Sequence, residues 1–150
     1  MKRLVSPILA AFALLTLAAC QKDVKLAGTT WNCTEVEYRK GYDDNGNLVV
    51  DSSFYATREY QLNFKDGNSG VWKLHQSSND PTYVYNGFDN VTANFTYTFS
   101  GKAGIIEGEL FAIPETNAAG QPFAYTFSIV GDGEELLMPM MEQQFIFRKQ

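Results

Sequence analysis

Period-two alternation constrains this chain more than any other feature. Between Val91 and Phe99 the residues Val91, Ala93, Phe95, Tyr97 and Phe99 alternate with Thr92, Asn94, Thr96 and Thr98. Only an extended strand puts such a set on one face. The pattern returns in Tyr60, Leu62 and Phe64, opposed by Glu59, Gln61 and Asn63, then in Trp72 and Leu74, and again in Phe123, Tyr125, Phe127 and Ile129. From Leu26 onward no ten-residue stretch carries apolar residues at i, i+3, i+4 and i+7, so helices are not expected.

Turn chemistry sits between these runs: Asp44-Asn45-Gly46-Asn47, Lys65-Asp66-Gly67-Asn68, Ser100-Gly101-Lys102 and Gly131-Asp132-Gly133, each short enough for a hairpin. The runs predict strands near 28–40, 47–52, 56–64, 70–76, 91–100, 104–111, 122–130, 135–140 and 143–149, eight or nine in all. A meander of that length has two exposed edges, and curling it until first and last strands pair removes both. The expectation is a single antiparallel up-and-down barrel over residues 26–150. Its inward set includes Tyr60, Leu62, Trp72, Phe95, Tyr97, Phe99, Tyr125 and Phe127. Two longer polar connections, 77–90 and 112–121, carry Tyr83, Tyr85 and Phe88, and Pro114 and Gly120, respectively.

The first nineteen residues read differently. Lys2 and Arg3 precede an apolar run from Ile8 to Leu17, which is too short to span a membrane and has the layout of a secretion signal. Leu17-Ala18-Ala19-Cys20 resembles the lipobox of bacterial lipoproteins. That resemblance implies cleavage before Cys20, acylation of its thiol and a lipidated tether over residues 20–25. Acyl chains contribute roughly 0.8 kcal/mol per buried CH2, so two or three of them make a lasting anchor. Gln21 in place of an aspartate after the cysteine resembles the Gram-negative signal for the outer membrane. Gln21-Lys22-Asp23 is similar to tethers that send some lipoproteins to the cell surface.

Without Lys2 and Arg3 the mature chain carries ten basic against 17 acidic residues, a formal charge of −7. Such a balance argues against nucleic acid as a partner. Twenty aromatic residues remain, enough for a proper core.

Leu26-Ala27-Gly28-Thr29-Thr30-Trp31 at the start of the first strand and Phe145-Ile146-Phe147-Arg148-Lys149 in the last resemble the two ends of lipocalin-like (calycin) domains in small bacterial envelope lipoproteins. The family carries Gly-x-Trp there; this chain has one more residue between Gly28 and Trp31. The resemblance implies that Arg148 stacks on Trp31, a cation–π contact of about 0.5–2 kcal/mol. It also implies a small apolar or amphipathic ligand in the barrel mouth. Tyr60, Trp72, Phe95, Tyr97 and Tyr125 would then line the site, with tyrosine hydroxyls as polar handles. An eight-stranded barrel is just wide enough to be filled by side chains or to hold one small ligand, and so many rings favour filling.

Other chemistry is thin. His75 is the single histidine, which leaves little material for histidine-based catalysis or a multi-histidine zinc site. It is expected on a solvated face beside Lys73. Once Cys20 is acylated, Cys33 is the remaining thiol and makes no internal disulfide; burial in the first strand is expected. Met138, Met140 and Met141 suit soft metals, but core packing is the simpler role. Glu107 and Glu109 share a strand face that is expected to meet solvent. The acidic stretch Asp43–Asn47 lacks the distal glutamate of a calcium loop and reads as a hairpin tip. No cofactor motif and no catalytic constellation emerge, so the expected protein is not an enzyme. Two functions fit: a lipid-anchored envelope barrel binding a small hydrophobic molecule, or an interaction or inhibitor protein docking a macromolecular partner through 77–90 and 112–121.

Overall fold

The computed structural model describes residues 24–83, 90–110, 121–140 and 142–150; the signal and lipobox lie outside them. Eight strands follow in chain order: β1 (Thr30–Tyr42), β2 (Leu48–Lys65), β3 (Ser69–Ser78), β4 (Asn90–Ser100), β5 (Ala103–Leu110), β6 (Gln121–Val130), β7 (Glu135–Met140) and β8 (Gln143–Lys149). Each pairs antiparallel with the next, and β1 meets β8 through Trp31↔Lys149 and Asn32↔Arg148, closing the barrel.

Eight strands rather than nine result because the expected runs 47–52 and 56–64 are one strand, β2. Asp51-Ser52-Ser53 interrupts the alternation without ending the strand: the β1–β2 register slips between Tyr38 and Arg39, where β2 bulges through residues 52–54. The Asp51 carboxylate accepts the Ser53 N–H at 3.0 Å, and the Asn79 side chain spans the bulge. Its Oδ1 accepts the Tyr55 N–H at 2.7 Å, while its Nδ2 donates to the Ser53 carbonyl at 2.9 Å.

The alternating residues face inward as their pattern requires. Trp31, Leu62, Ile106, Leu136, Met138 and Phe147 are fully buried, and the rings interlock edge to face. Phe64 contacts Phe95 at 5.4 Å and Tyr97 at 5.0 Å, and Trp72 contacts Phe123 at 5.5 Å. Such pairs add about 0.5–1.5 kcal/mol each beyond area burial. Room for these rings comes from missing side chains. A Cβ at Gly70 would overlap the Phe95 ring across the ladder, and one at Gly104 would overlap Phe127. Large residues therefore sit opposite residues with no side chain, which lets the rings interdigitate.

Strand polarity sorts the connections into two ends. The near end holds Val24, Gln150 and the short turns after β2, β4 and β6. The far end holds the β1–β2 tip and the ends of the strands that the two long connections join. At the near end Trp31 donates its indole N–H to Thr29 Oγ1 at 2.7 Å. Its expected partner is elsewhere. Arg148 pairs with Asn32, one rung off the Trp31 position, so alternation turns its side chain outward. There it is 78% exposed, with Nε 3.6 Å from Glu135.

Candidate functional site

The far end differs from the rest of the barrel. β3 pairs with β2 only from Ala56 onward, so Tyr38–Tyr42 and Leu48–Tyr55 form an arm whose two strands pair only with each other among the described residues. At 3.3 Å per residue it stands about 15 Å past the last rung shared with β3. Nine large apolar residues are exposed among the described residues, and seven belong to β1 or to this part of β2: Val36, Tyr38, Tyr42, Leu48, Val49, Val50 and Tyr55. Cross-strand pairing puts Tyr38 opposite Tyr55 and Tyr42 opposite Leu48. With Val36 and Val50 they share the outer face by alternation.

The base of the arm is braced from inside. Arg39 reaches Asp51 at 2.9 Å and the buried Asp80 at 3.6 Å, and its guanidinium lies 3.7 Å from the Phe54 ring centroid. Asp80 is held in a turn by its own carboxylate, which accepts the Thr82 N–H at 2.9 Å and hydroxyl at 2.7 Å. These bonds, foremost the Thr82 hydroxyl, hold the Asp80 pKa below the ordinary carboxylate value, and Arg39 adds to the effect. A groove of about 480 Å³ opens beside this brace, bordered by Glu37, Lys40, Phe54, Asp80 and Tyr83.

Below the brace lies a polar layer that sequence reading missed. Arg58 donates to Glu37 at 2.9 Å and to the Tyr83 hydroxyl at 3.1 Å. Tyr60 donates its hydroxyl to Glu35 at 3.0 Å, and burial, then the Glu35 charge, raises its pKa. Glu35 and Glu37 share strand parity with Trp31 and Cys33, which was the available signal.

The five expected lining residues separate into two levels. Tyr60, Trp72 and Tyr125 come together in one, with Trp72 6.5 Å from Tyr60 and 6.0 Å from Tyr125. Phe95 and Tyr97 pack on Phe64 instead, and the Tyr97 hydroxyl donates to the Lys65 carbonyl at the near end. The Trp72 indole N–H is buried and has no hydrogen-bond partner among the described residues.

The other residues singled out are also placed. His75 and Lys73 are both exposed, as are Glu107 and Glu109. Cys33 is half-buried against the core; burial pushes its thiol pKa up. Met138 and Met140 are core residues, and Met141 lies outside the described residues, as do Tyr85, Phe88, Pro114, Gly120 and Cys20. Asp43 closes the hairpin tip by accepting the Asn45 and Asn47 N–H groups at 2.9 and 2.8 Å. Among the described residues no group of three or more His, Cys, Asp or Glu side chains is arranged to hold a metal ion, and no helix is long and apolar enough to cross a membrane. Comparison of the chain with protein-family models, curated proteins and solved structures finds no match.

Proposed function

We propose that this protein is a non-enzymatic docking module, held by lipid on Cys20 at the outer membrane, that presents the far end of its barrel to a macromolecular partner. The observation that carries this reading is the concentration of exposed apolar side chains on an arm at the end opposite Val24. Apolar groups held in water on a braced, projecting hairpin are surface kept for contact. The tether supports the same orientation. From Cys20 to Val24 the chain reaches at most about 14 Å, which keeps the near end by the membrane and directs the arm away from it.

Photo-crosslinking in intact cells tests the reading. A benzophenone side chain at Tyr42 is expected to give a discrete macromolecular adduct, whereas one at Ile105, exposed on β5, is not. Absence of an adduct from Tyr42 overturns the reading.

The Trp72 N–H favours a second reading, a small molecule with an acceptor oxygen seated among Trp72, Tyr60 and Tyr125, in keeping with the implied lipocalin-like pocket. A buried donor without a partner costs about 1–3 kcal/mol, and a ligand acceptor would recover that energy. Native mass spectrometry of protein extracted from its own membrane is expected to show one bound molecule, lost in Trp72→Phe. Empty protein in repeated extractions would remove this reading.

A further inference from the structure

We infer that the partner of the arm is a second copy of this chain, the outer faces of two arms packing together about a two-fold axis that runs along the barrels. The inference rests on the docking reading and names its partner.

Three observations point to self-association. The outer face is a pleated surface of β1 and β2, bent at the 52–54 bulge, that bears Val36, Tyr38, Tyr42, Leu48, Val50 and Tyr55. Two such surfaces pack in the aligned sheet-on-sheet manner, about 10 Å apart and near −30°, and a two-fold axis makes the patch its own complement. The exposed area also suffices. Tyr42 is 77% exposed and the other five are 42–59% exposed. Given the size of these side chains they offer roughly 700 Å² per copy, close to the 800 Å² or so per partner of a specific interface.

The place of Val24 at the near end, beside Gly133, is the third observation, taken with the proposed lipid on Cys20. Both copies would leave the membrane from the near end with their arms at equal height, so an axis along the barrels brings like residues together. Anchoring in one membrane raises their effective concentration. Lys40 is the charged residue of this face, opposite Val50, and its four-carbon stem is long enough to carry the ammonium to the rim. Antiparallel pairing of the free β1 edges is disfavoured, because it would put the two tethers at opposite ends of the assembly.

Cross-linking of the full acylated chain in its own membrane tests the inference. Tyr42→Cys treated with a short bis-maleimide is expected to give a band of twice the chain mass, and Ile105→Cys only monomer. Purified full chain in detergent is expected to sediment as a dimer. Val50→Asp in the Tyr42→Cys background should weaken association at least about 10-fold, since it replaces an apolar contact by a carboxylate beside Lys40 that must give up its water on association, while the melting temperature stays within a few degrees. A monomer at all concentrations overturns the inference, as does a dimer indifferent to Val50→Asp or one that cross-links Thr34→Cys to Tyr42→Cys and not Tyr42→Cys to itself. A photo-adduct at Tyr42 of some other mass overturns self-association while leaving the docking reading in place, whereas no adduct removes both.

Discussion

The Arg39 guanidinium lies 3.7 Å from the centroid of the Phe54 ring, so the residue where the β1–β2 register slips is held by the bulge that causes the slip. Phe54 supplies the face of its ring, Asp51 a carboxylate at 2.9 Å, and Asp80 a second carboxylate from beyond β3. One side chain thus ties the arm to the barrel.

Arg39→Ala should loosen the arm without opening the barrel. Loss of the ring contact and a part-exposed ion pair is worth about 1 kcal/mol. Hydrogen exchange should speed up across residues 38–55 and stay unchanged in β4 to β6. Equal acceleration throughout would show that the brace holds the whole barrel.

Acid should act on the same region first. The Asp43, Asp51 and Asp80 carboxyls all have pKa values lowered in the folded state: by bonds accepted from Asn47 for Asp43, from Ser53 and Arg39 for Asp51, and from Thr82 for Asp80, where the Arg39 charge adds to the effect. A lowered folded-state pKa contributes stability that is complete above the unfolded value, about 4, and is lost as pH falls through the folded one. Arm protection, corrected for intrinsic exchange, is expected to hold at pH 5–7 and to fall below about pH 4. In Asp80→Asn the fall should be smaller; an identical profile would exclude Asp80 as a contributor.

Gly104→Ala should destabilise the barrel by about 1–3 kcal/mol, the cost of overpacking where Phe127 already fills the space. Gly41→Ala, with open space around it, serves as the control and should be near neutral. Thermal melts compare the two, and equal melting temperatures would mean that the Phe127 ring moves aside freely.

Cys20→Ala should release the protein from membranes, because the acyl chains supply the anchor. Fractionation of cells reads this directly. A mutant that is unprocessed yet membrane-bound like the wild type would exclude lipid as the anchor.

Much of the barrel was legible in the alternation. The inward positions of Tyr60, Leu62, Trp72, Phe95 and Phe127 follow from period two alone, as do the solvent positions of His75, Lys73, Glu107 and Glu109. The joining of 47–52 to 56–64 was not legible, because Asp51-Ser52-Ser53 has the composition of a turn and becomes a bulge only when Asn79 and Arg39 arrive from elsewhere. Arg148 illustrates the opposite failure: a motif implied a contact with Trp31 that the β1–β8 register forbids.

Strand formation, the residues of each strand that share a face and the sites of several turns can all be read along the chain, since these depend on neighbours one or two positions away. Which apolar faces are covered depends on contacts between strands distant in the chain. Val36 and Tyr38 alternate as regularly as Tyr60 and Leu62, but their parity turns them to the outer face of β1, where no described residue covers them. Burial belongs to what stands opposite a side chain, and long-range pairing alone supplies that.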